Sequence, residues 1–342
     1  MKNKKTVAVI VDGYGGDNAP FEIVKGCVLS VNEYENLNIF LVGKEKELNT
    51  LLSQYSYNKN SITIIPANEI ITNEESPVEA IRTKKDSSLV VALEHLKQNN
   101  EIIGLVSAGS TGAVLSGGFL KIGRFSGISR PALCPILPTV NNGQVALIDC
   151  GANMDATSEN LMHFAIMASL YMQCVYNIKN PRVALLNVGV EEHKGNNLTK
   201  ETYEQLKKLP INFVGNMEAR DALSGNYDVI VADGFSGNVL LKGIEGAVGV
   251  SFKMLKNEIK SSKLAMFGSL FMKQAFKKLK NKLNYSNYGG SPFLGVKKII
   301  IKSHGSSDAI SIKASIKQVI DLELAGIKEK LKEELALINK GE

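Results

Sequence analysis

The side chains able to do chemistry are concentrated in five short stretches of similar make-up: glycines, one or more carboxylates, amides or hydroxyls, and little bulk. They are Asp12-Gly13-Tyr14-Gly15-Gly16-Asp17, Ser107-Ala108-Gly109-Ser110-Thr111-Gly112, Asp149-Cys150-Gly151-Ala152-Asn153, Asn187-Val188-Gly189-Val190-Glu191-Glu192-His193-Lys194-Gly195-Asn196 and Asp233-Gly234-Phe235-Ser236-Gly237-Asn238. Small residues let an anion approach the backbone, and unpaired N–H groups at a helix start carry the positive end of its dipole. Hydroxyls at Ser107, Ser110 and Thr111 add further donors, so phosphate is the natural guest. The competing account makes each stretch an ordinary turn or helix cap. Lys194 is the one lysine or arginine in the five stretches.

Other chemistries leave no matching pattern. Gly13-x-Gly15-x-x-Asn18 lacks the third glycine of a dinucleotide fingerprint, and no G-x-x-x-x-G-K-[ST] loop occurs. H-E-x-x-H and G-x-S-x-G are absent, and His95, His163, His193 and His304 lie far apart in sequence, reading as surface or packing residues. Cys27, Cys134, Cys150 and Cys174 form no C-x-x-C and read as buried thiols of a reducing cytoplasm. What remains is an anion cleft without a protein nucleophile. Inorganic phosphate can itself attack, provided that a site orients it and stabilises an oxyanion.

The elements that position these turns alternate in type. Strands are predicted at 6–12, 37–43, 62–66, 102–107, 132–138, 144–149, 182–188, 211–214, 227–233 and 297–303. Helices are predicted at 21–34, 76–98, 111–123, 158–176, 198–208, 238–260 and 306–339. Strands apolar on both faces between helices predict an α/β fold: a doubly wound, mostly parallel sheet with helices on both faces. Ligands bind such sheets beyond the carboxyl ends of their strands, so the turns should gather at one end of one sheet. No linker or repeat divides the 342 residues, and 1–342 reads as a single large domain. Ile320, Leu324, Ile327, Leu331 and Leu335 form one stripe on the last helix, facing the body or a partner subunit.

Composition, 44% hydrophobic and 22% charged, is that of a globular chain. Met1 to Lys5 and the following Val7–Val11 run superficially resemble a signal peptide, but Asp12 ends the run too early. No stretch approaches the ~20 apolar residues that span a bilayer, so a cytoplasmic, at most peripheral, protein is expected. The net charge of +6 is uneven. Between Glu258 and Asp308 lie no acids but Lys260, Lys263, Lys273, Lys277, Lys278, Lys280, Lys282, Lys297, Lys298 and Lys302. That basic face calls for an acidic partner or surface.

Taken in order, the motifs match a family. The chain resembles the bacterial phosphate acyltransferases of phospholipid synthesis, which convert acyl-acyl carrier protein and phosphate into acyl phosphate. The resemblance runs from about Val7 to the last helix. Its carriers are the five stretches with Pro20 and Ala113, together with Tyr288-Gly289-Gly290-x-Pro292-x-Leu294-Gly295 and His304-Gly305-Ser306-Ser307-Asp308. Gly13, Tyr14 and Asn18 depart from the family's Asp-Ala-Met-Gly-Gly-Asp-His-Ala-Pro, and Ser110 stands where Asn is frequent. The resemblance implies a Rossmann-like homodimer related to phosphotransacetylase and isopropylmalate dehydrogenase-like folds, working without cofactor or metal at the inner face of the cell membrane. Its substrates would be acyl carrier protein thioester and inorganic phosphate.

Within that reading Ser107, Gly109, Ser110, Thr111 and Gly112 hold phosphate, and Lys194 neutralises it. Asn187 and Asn238 donate to the oxyanion, each worth roughly 3 kcal/mol of barrier. Asp12, Asp17 and Asp233 orient Lys194 and the loops, while Gly15, Gly16, Asn153, Glu191 and Gly237 line the cleft. The segment 260–285 is a basic and apolar helical excursion. Leu264, Phe267, Leu270 and Phe271, beside Lys273, Lys277 and Lys278, suit shallow insertion beneath anionic headgroups or docking of an acidic carrier protein, not nucleic acid. Two alternatives remain: a short-chain acyl-coenzyme A:phosphate transferase, and a non-catalytic membrane scaffold.

Overall fold

The computed structural model describes residues 6–283 and 289–338. Met1–Lys5, Tyr288 of the sixth motif and the last predicted helical residue, Asn339, lie outside them, as does the side chain of Leu335 in the stripe.

The described strands form two sheets rather than the single one expected. The seven-stranded sheet runs β3 (Ile62–Pro66), β2 (Leu37–Gly43), β1 (Val7–Asp12), β4 (Ile102–Ser107), β12 (Ile299–Lys302), β11 (Ser291–Leu294), β5 (Ala132–Leu133). The five-stranded sheet runs β6 (Ile136–Pro138), β7 (Gln144–Ile148), β10 (Val229–Val231), β8 (Val183–Asn187), β9 (Phe213–Glu218). Pairings are parallel except β11 with β12 and β5, and β6 with β7. Pro135 explains how the predicted strand 132–138 came apart. Having no N–H, it cannot continue a ladder, and its two flanks join different sheets. The chain thus leaves the first sheet at β5, builds the second, and returns at β11. The second sheet is one continuous stretch, β6 to β10, inserted between β5 and β11 of the first, so the first is split in sequence and no linker marks a boundary.

Helices cover these sheets: α1 (Phe21–Glu33), α2 (Glu45–Leu52), α3 (Pro77–Thr83), α4 (Ser88–Gln98), α5 (Thr111–Gly117), α6 (Ser158–Tyr176), α7 (Asn197–Leu206), α8 (Gly234–Ser261), α9 (Lys263–Leu283), α10 (Ala309–Leu324) and α11 (Ile327–Ile338). The predicted helix 76–98 breaks between α3 and α4, where Ser87 caps the second piece by accepting from the Val90 N–H. The predicted 306–339 breaks at Gly326, whose φ of +63° suits glycine. Helix α6 is the buried centre, with Phe164 and Tyr171 fully enclosed; Gln318 of α10 donates to the Tyr171 hydroxyl at 3.0 Å. Burial of each such side chain contributes roughly 1.5–3 kcal/mol.

Helices α8 and α9 behave differently. In α8 only the Gly234, Gly237 and Leu241 positions are buried. Beyond them the helix runs out with α9 packed beside it, which is the predicted excursion at 260–285. Its last two positions lie outside the described residues.

Candidate active site

Three strands of the larger sheet end on one rim. Asp12 closes β1, Ser107 closes β4 and Lys302 closes β12, side by side in the parallel ladder. Ser107 Oγ donates to Asp12 Oδ2 at 2.7 Å and accepts from the Gly109 N–H at 3.1 Å. The turns interlock: a Cβ at Gly15 would lie 2.5 Å from the Gly109 nitrogen and 2.7 Å from Asp12 Oδ2. Asp17 N–H donates to Gly305 O at 2.8 Å, fastening the β1 turn to the β12 turn. Asn18 donates to Ser306 O and Ser307 O at 3.1 and 3.3 Å, and Tyr14 donates to Glu47 at 2.5 Å. Two of the residues that depart from the family pattern therefore have structural work. Ser110 occupies the N-cap of α5 yet makes no side-chain capping bond, so its hydroxyl is not spent there.

Lys302 is the residue the sequence concealed. It is 8% exposed, and its Nζ donates to the carbonyls of Ala108 (3.5 Å) and Ser303. Burial lowers its pKa to about 8, against the opposing pull of Asp12 and Asp17. Burial raises the Asp12 carboxyl above its usual range, with hydrogen bonds from Ser88, Ser107 and the backbone resisting. The signal present in the sequence was a lysine ending the Ile299-Ile300-Ile301 run.

The smaller sheet contributes a second rim. Asp149, fully buried, accepts from the N–H groups of Leu133 (2.9 Å) and Asn153 (2.7 Å) and from Asn153 Nδ2 (2.9 Å). Asn153 O in turn accepts from the Gly234 N–H at 2.8 Å, locking this turn to the start of α8. Asp233 caps α8, accepting from the Ser236 N–H and hydroxyl, both at 2.8 Å. Gly237 admits nothing larger, since a Cβ there would sit 1.9 Å from Asp149 O. Asn238, half-buried, stands beside Gly151. Asp233 and Asn196 share an open cavity of about 450 Å3 with Asp155 and Phe235.

Asn187 is committed to its own loop. It donates to Lys194 O at 3.1 Å and accepts from the Val188 N–H at 2.8 Å. Glu191 O accepts from Asn216 at 2.9 Å. Lys194 is exposed, and no ion pair or hydrogen bond joins it to the 107–112 turn among the described residues. The structure therefore brings Asp12, Gly15, Gly16, Asp17, Ser107, Gly109, Ser110, Thr111 and Gly112 onto one rim. Asn153, Asp233, Gly237 and Asn238 lie on the other, and Asn187, Glu191 and Lys194 form a separate loop beside the second.

Helix α8 bridges the rims. It starts in the second, yet its Lys242 acts electrostatically on both Lys302 and His304 of the first. Lys242 pairs with Glu245 at 2.8 Å. His304, expected to be a surface or packing residue, is exposed and within electrostatic reach of Lys242, Glu245 and Lys302; Ser306 N–H donates to its Nδ1 at 3.2 Å. With Nδ1 accepting, a neutral ring carries its proton on Nε2. Partial burial, and then Lys242, lower its pKa below the ordinary histidine value. The thiols are poor nucleophiles: burial raises the pKa of Cys27, Cys134 and Cys150, and partial burial raises that of Cys174, which is half-buried and not enclosed as expected. Among the described residues no group of three His, Cys, Asp or Glu could hold a metal ion.

Comparison in sequence with known proteins points to one family. A family model described as "Fatty acid synthesis protein" matches residues 7–330. The chain is 49% identical over 324 residues to the phosphate acyltransferase of Clostridium novyi (strain NT), covering 95% of this chain and 97% of that one. It is 45% identical over 330 residues to the phosphate acyltransferase of Clostridium tetani (strain Massachusetts / E88), covering 96% and 98%. Among solved structures, a phosphotransacetylase from Streptococcus pyogenes superposes with a TM-score of 0.60 at 16% identity, covering 93% and 94%. A putative 4-hydroxythreonine-4-phosphate dehydrogenase from Salmonella typhimurium gives 0.52 at 14%, covering 94% and 100%. These structures share the two-sheet α/β fold.

Proposed function

The chain belongs to the fatty acid synthesis protein family, and from that premise we propose that it transfers a long-chain acyl group from acyl carrier protein thioester to inorganic phosphate. The observation that carries this reading is two rims of interlocked glycine-bearing turns, linked by α8 and supplied with cations, alongside thiols too protonated to attack. Phosphate lies against the 109–112 turn, where the Ser110 and Thr111 hydroxyls and backbone N–H groups meet it. Ser107 is already bound to Asp12 and serves to fix that turn. Lys302 holds the Ala108 and Ser303 carbonyls in register, and Lys242 adds positive charge at the rim. Lys194 approaches from its own loop, which Asn187 shapes; Asn238 donates to the oxyanion.

Hydrogen phosphate attacks the thioester carbonyl carbon, the carbon–sulfur bond breaks, and acyl phosphate forms. The proton of hydrogen phosphate ends on the carrier thiol. Steady-state release of carrier thiol tests the reading. It should require phosphate and match acyl phosphate formed mole for mole; equal release into water alone would remove the proposal.

The acyl carrier protein and the membrane are proposed partners. Leu264, Phe267, Leu270 and Phe271 of α9 are all exposed, Leu264 and Phe271 by 81% and 80%, with Lys273, Lys277 and Lys278 exposed on the same helix. Such a face suits reversible docking on anionic headgroups. No helix among the described residues is long and apolar enough to cross a membrane. The fold shared with phosphotransacetylase favours a short-chain acyl-coenzyme A donor as the second reading; comparing acetyl-coenzyme A with palmitoyl carrier protein separates the two. A homodimer is part of the proposal, testable by sedimentation.

A further inference from the structure

One peptide unit of the first rim is gripped at both ends by groups from three strands. The Ala108–Gly109 peptide leaves the end of β4. Its carbonyl accepts from Lys302 Nζ of β12 at 3.5 Å, and its N–H donates to Ser107 Oγ at 3.1 Å. Ser107 is itself fixed by its bond to Asp12 of β1. Ala108 and Lys302 are only 2% and 8% exposed, so this carbonyl is committed to the interior, while positions 109 to 112 are partly or fully exposed. A glycine at 109 leaves the torsions free, so the orientation of the peptide depends on these partners. That orientation matters for an anion. Successive N–H groups attract it, whereas a carbonyl rotated outward among them would repel it. Gly16 packs over the same spot, where a Cβ would lie 3.2 Å from Ala108 O and 2.8 Å from Gly305 O. Among the described residues Lys302 is the side chain that donates to the Ala108 carbonyl.

We infer that Lys302 is a positioning residue of the phosphate site: its ammonium keeps the Ala108 carbonyl turned inward, and with it the 109–112 turn in its donor-outward form. This role rests on the proposed phosphate site and adds what governs affinity there. Charge is part of it. A hydrogen bond from an ammonium is about twice as strong as one from a neutral amine, and the buried cation also adds to the field at the turn. The charged and titratable groups facing it are Asp12 and Asp17 from β1 and its turn, Lys242 from α8 and His304 just beyond β12. Burial brings the Lys302 pKa down to about 8, so its charge can be removed under mild conditions. Bound phosphate favours the charged amine. Phosphate affinity is therefore full below about pH 8 and falls as pH rises through that value. Stability runs the other way, since a buried lysine with a lowered pKa costs less once neutral. Unfolding at high pH thus cannot imitate the loss of affinity, and a lysine that served packing alone would leave affinity flat.

Calorimetric titration of inorganic phosphate into the free protein at about pH 7 and about pH 9.5 tests this. Wild type should lose affinity at least about tenfold between the two. Lys302→Arg, whose guanidinium stays charged throughout, should bind equally at both, and Lys302→Met should bind weakly at both. Equal wild-type affinity at the two pH values overturns the inference. So does a fall that survives in Lys302→Arg, which would belong to Lys194 or Lys242 instead. If the arginine variant does not fold, proton uptake decides, read from binding heats at about pH 9 in buffers of different ionisation enthalpy. Wild type should take up protons on binding phosphate beyond any uptake by Lys302→Met; equal uptake overturns the inference. Turnover is scored separately. The expected binding pattern in a protein lacking phosphate-dependent thiol release would keep Lys302 in this role and remove the reaction. Phosphate-dependent release with a pH-independent affinity would keep the reaction and remove the role.

Discussion

Lys302 shows how a single side chain organises a rim. Its folded pKa, about 8, lies below the ordinary 10.5, so between those values the unfolded chain holds the extra proton. Stability should therefore rise with pH across that window, by on the order of 3 kcal/mol if the whole shift is expressed. Below about pH 8 the cost of burying the charged amine is constant. Lys302→Met should flatten that slope in denaturant titrations at pH 8 to 10, and a slope equal to wild type would show that the amine is not a buried cation. Gly237 gives a second prediction. Gly237→Ala drives a Cβ to 1.9 Å from Asp149 O and should cost about 3 kcal/mol or more, whereas Gly246→Ala, with open space on α8, should gain about 0.5–1 kcal/mol. Urea midpoints distinguish them. At this scale the sequence disclosed the turn residues, because glycine, aspartate and hydroxyls announce themselves by type. Lys302 and His304 did not, because a lysine in a lysine-rich stretch looks solvated until tertiary structure buries it beside Asp12 and Asp17.

Helix α8 is the element on which both rims depend. Asp233 caps it with two bonds to Ser236, so Asp233→Ala should lower stability by about 1 kcal/mol and Asp233→Asn by less. Thermal melts would show this, and identical melting of all three proteins would deny the cap. Helix α9 carries a separable property. Phe267→Glu with Phe271→Glu should abolish sedimentation with anionic vesicles while phosphate-dependent turnover in solution persists; joint loss of both would tie anchor and site together. Alternation of apolar strands with helical patterns located most elements, since period alone reports them. It missed β11, whose Pro292 weakens the strand signal, and it joined β5 to β6 across Pro135. Short α2 also escaped, although Leu48, Leu51 and Leu52 bury one face.

Across the whole molecule, each sheet ends in a rim of polar turns, and α8 starts in the second while its Lys242 acts on Lys302 of the first. The sequence could reveal strands and turns but not their division between sheets, because the chain enters and leaves the first sheet through loops of ordinary composition. Lys194, expected to neutralise phosphate, sits in a loop of the other sheet, while Lys302 lies beside the 107–112 turn. Lys194→Ala should lower turnover while vesicle binding is retained. The central claim is that bound phosphate, not a protein side chain, attacks the thioester. Stoichiometric enzyme mixed rapidly with acyl carrier protein thioester tests it most directly, with thiol followed in phosphate-free buffer before phosphate is added. No thiol should appear until phosphate arrives, then one equivalent per donor; a burst equal to the enzyme concentration without phosphate would mean a covalent acyl-enzyme and would contradict the account.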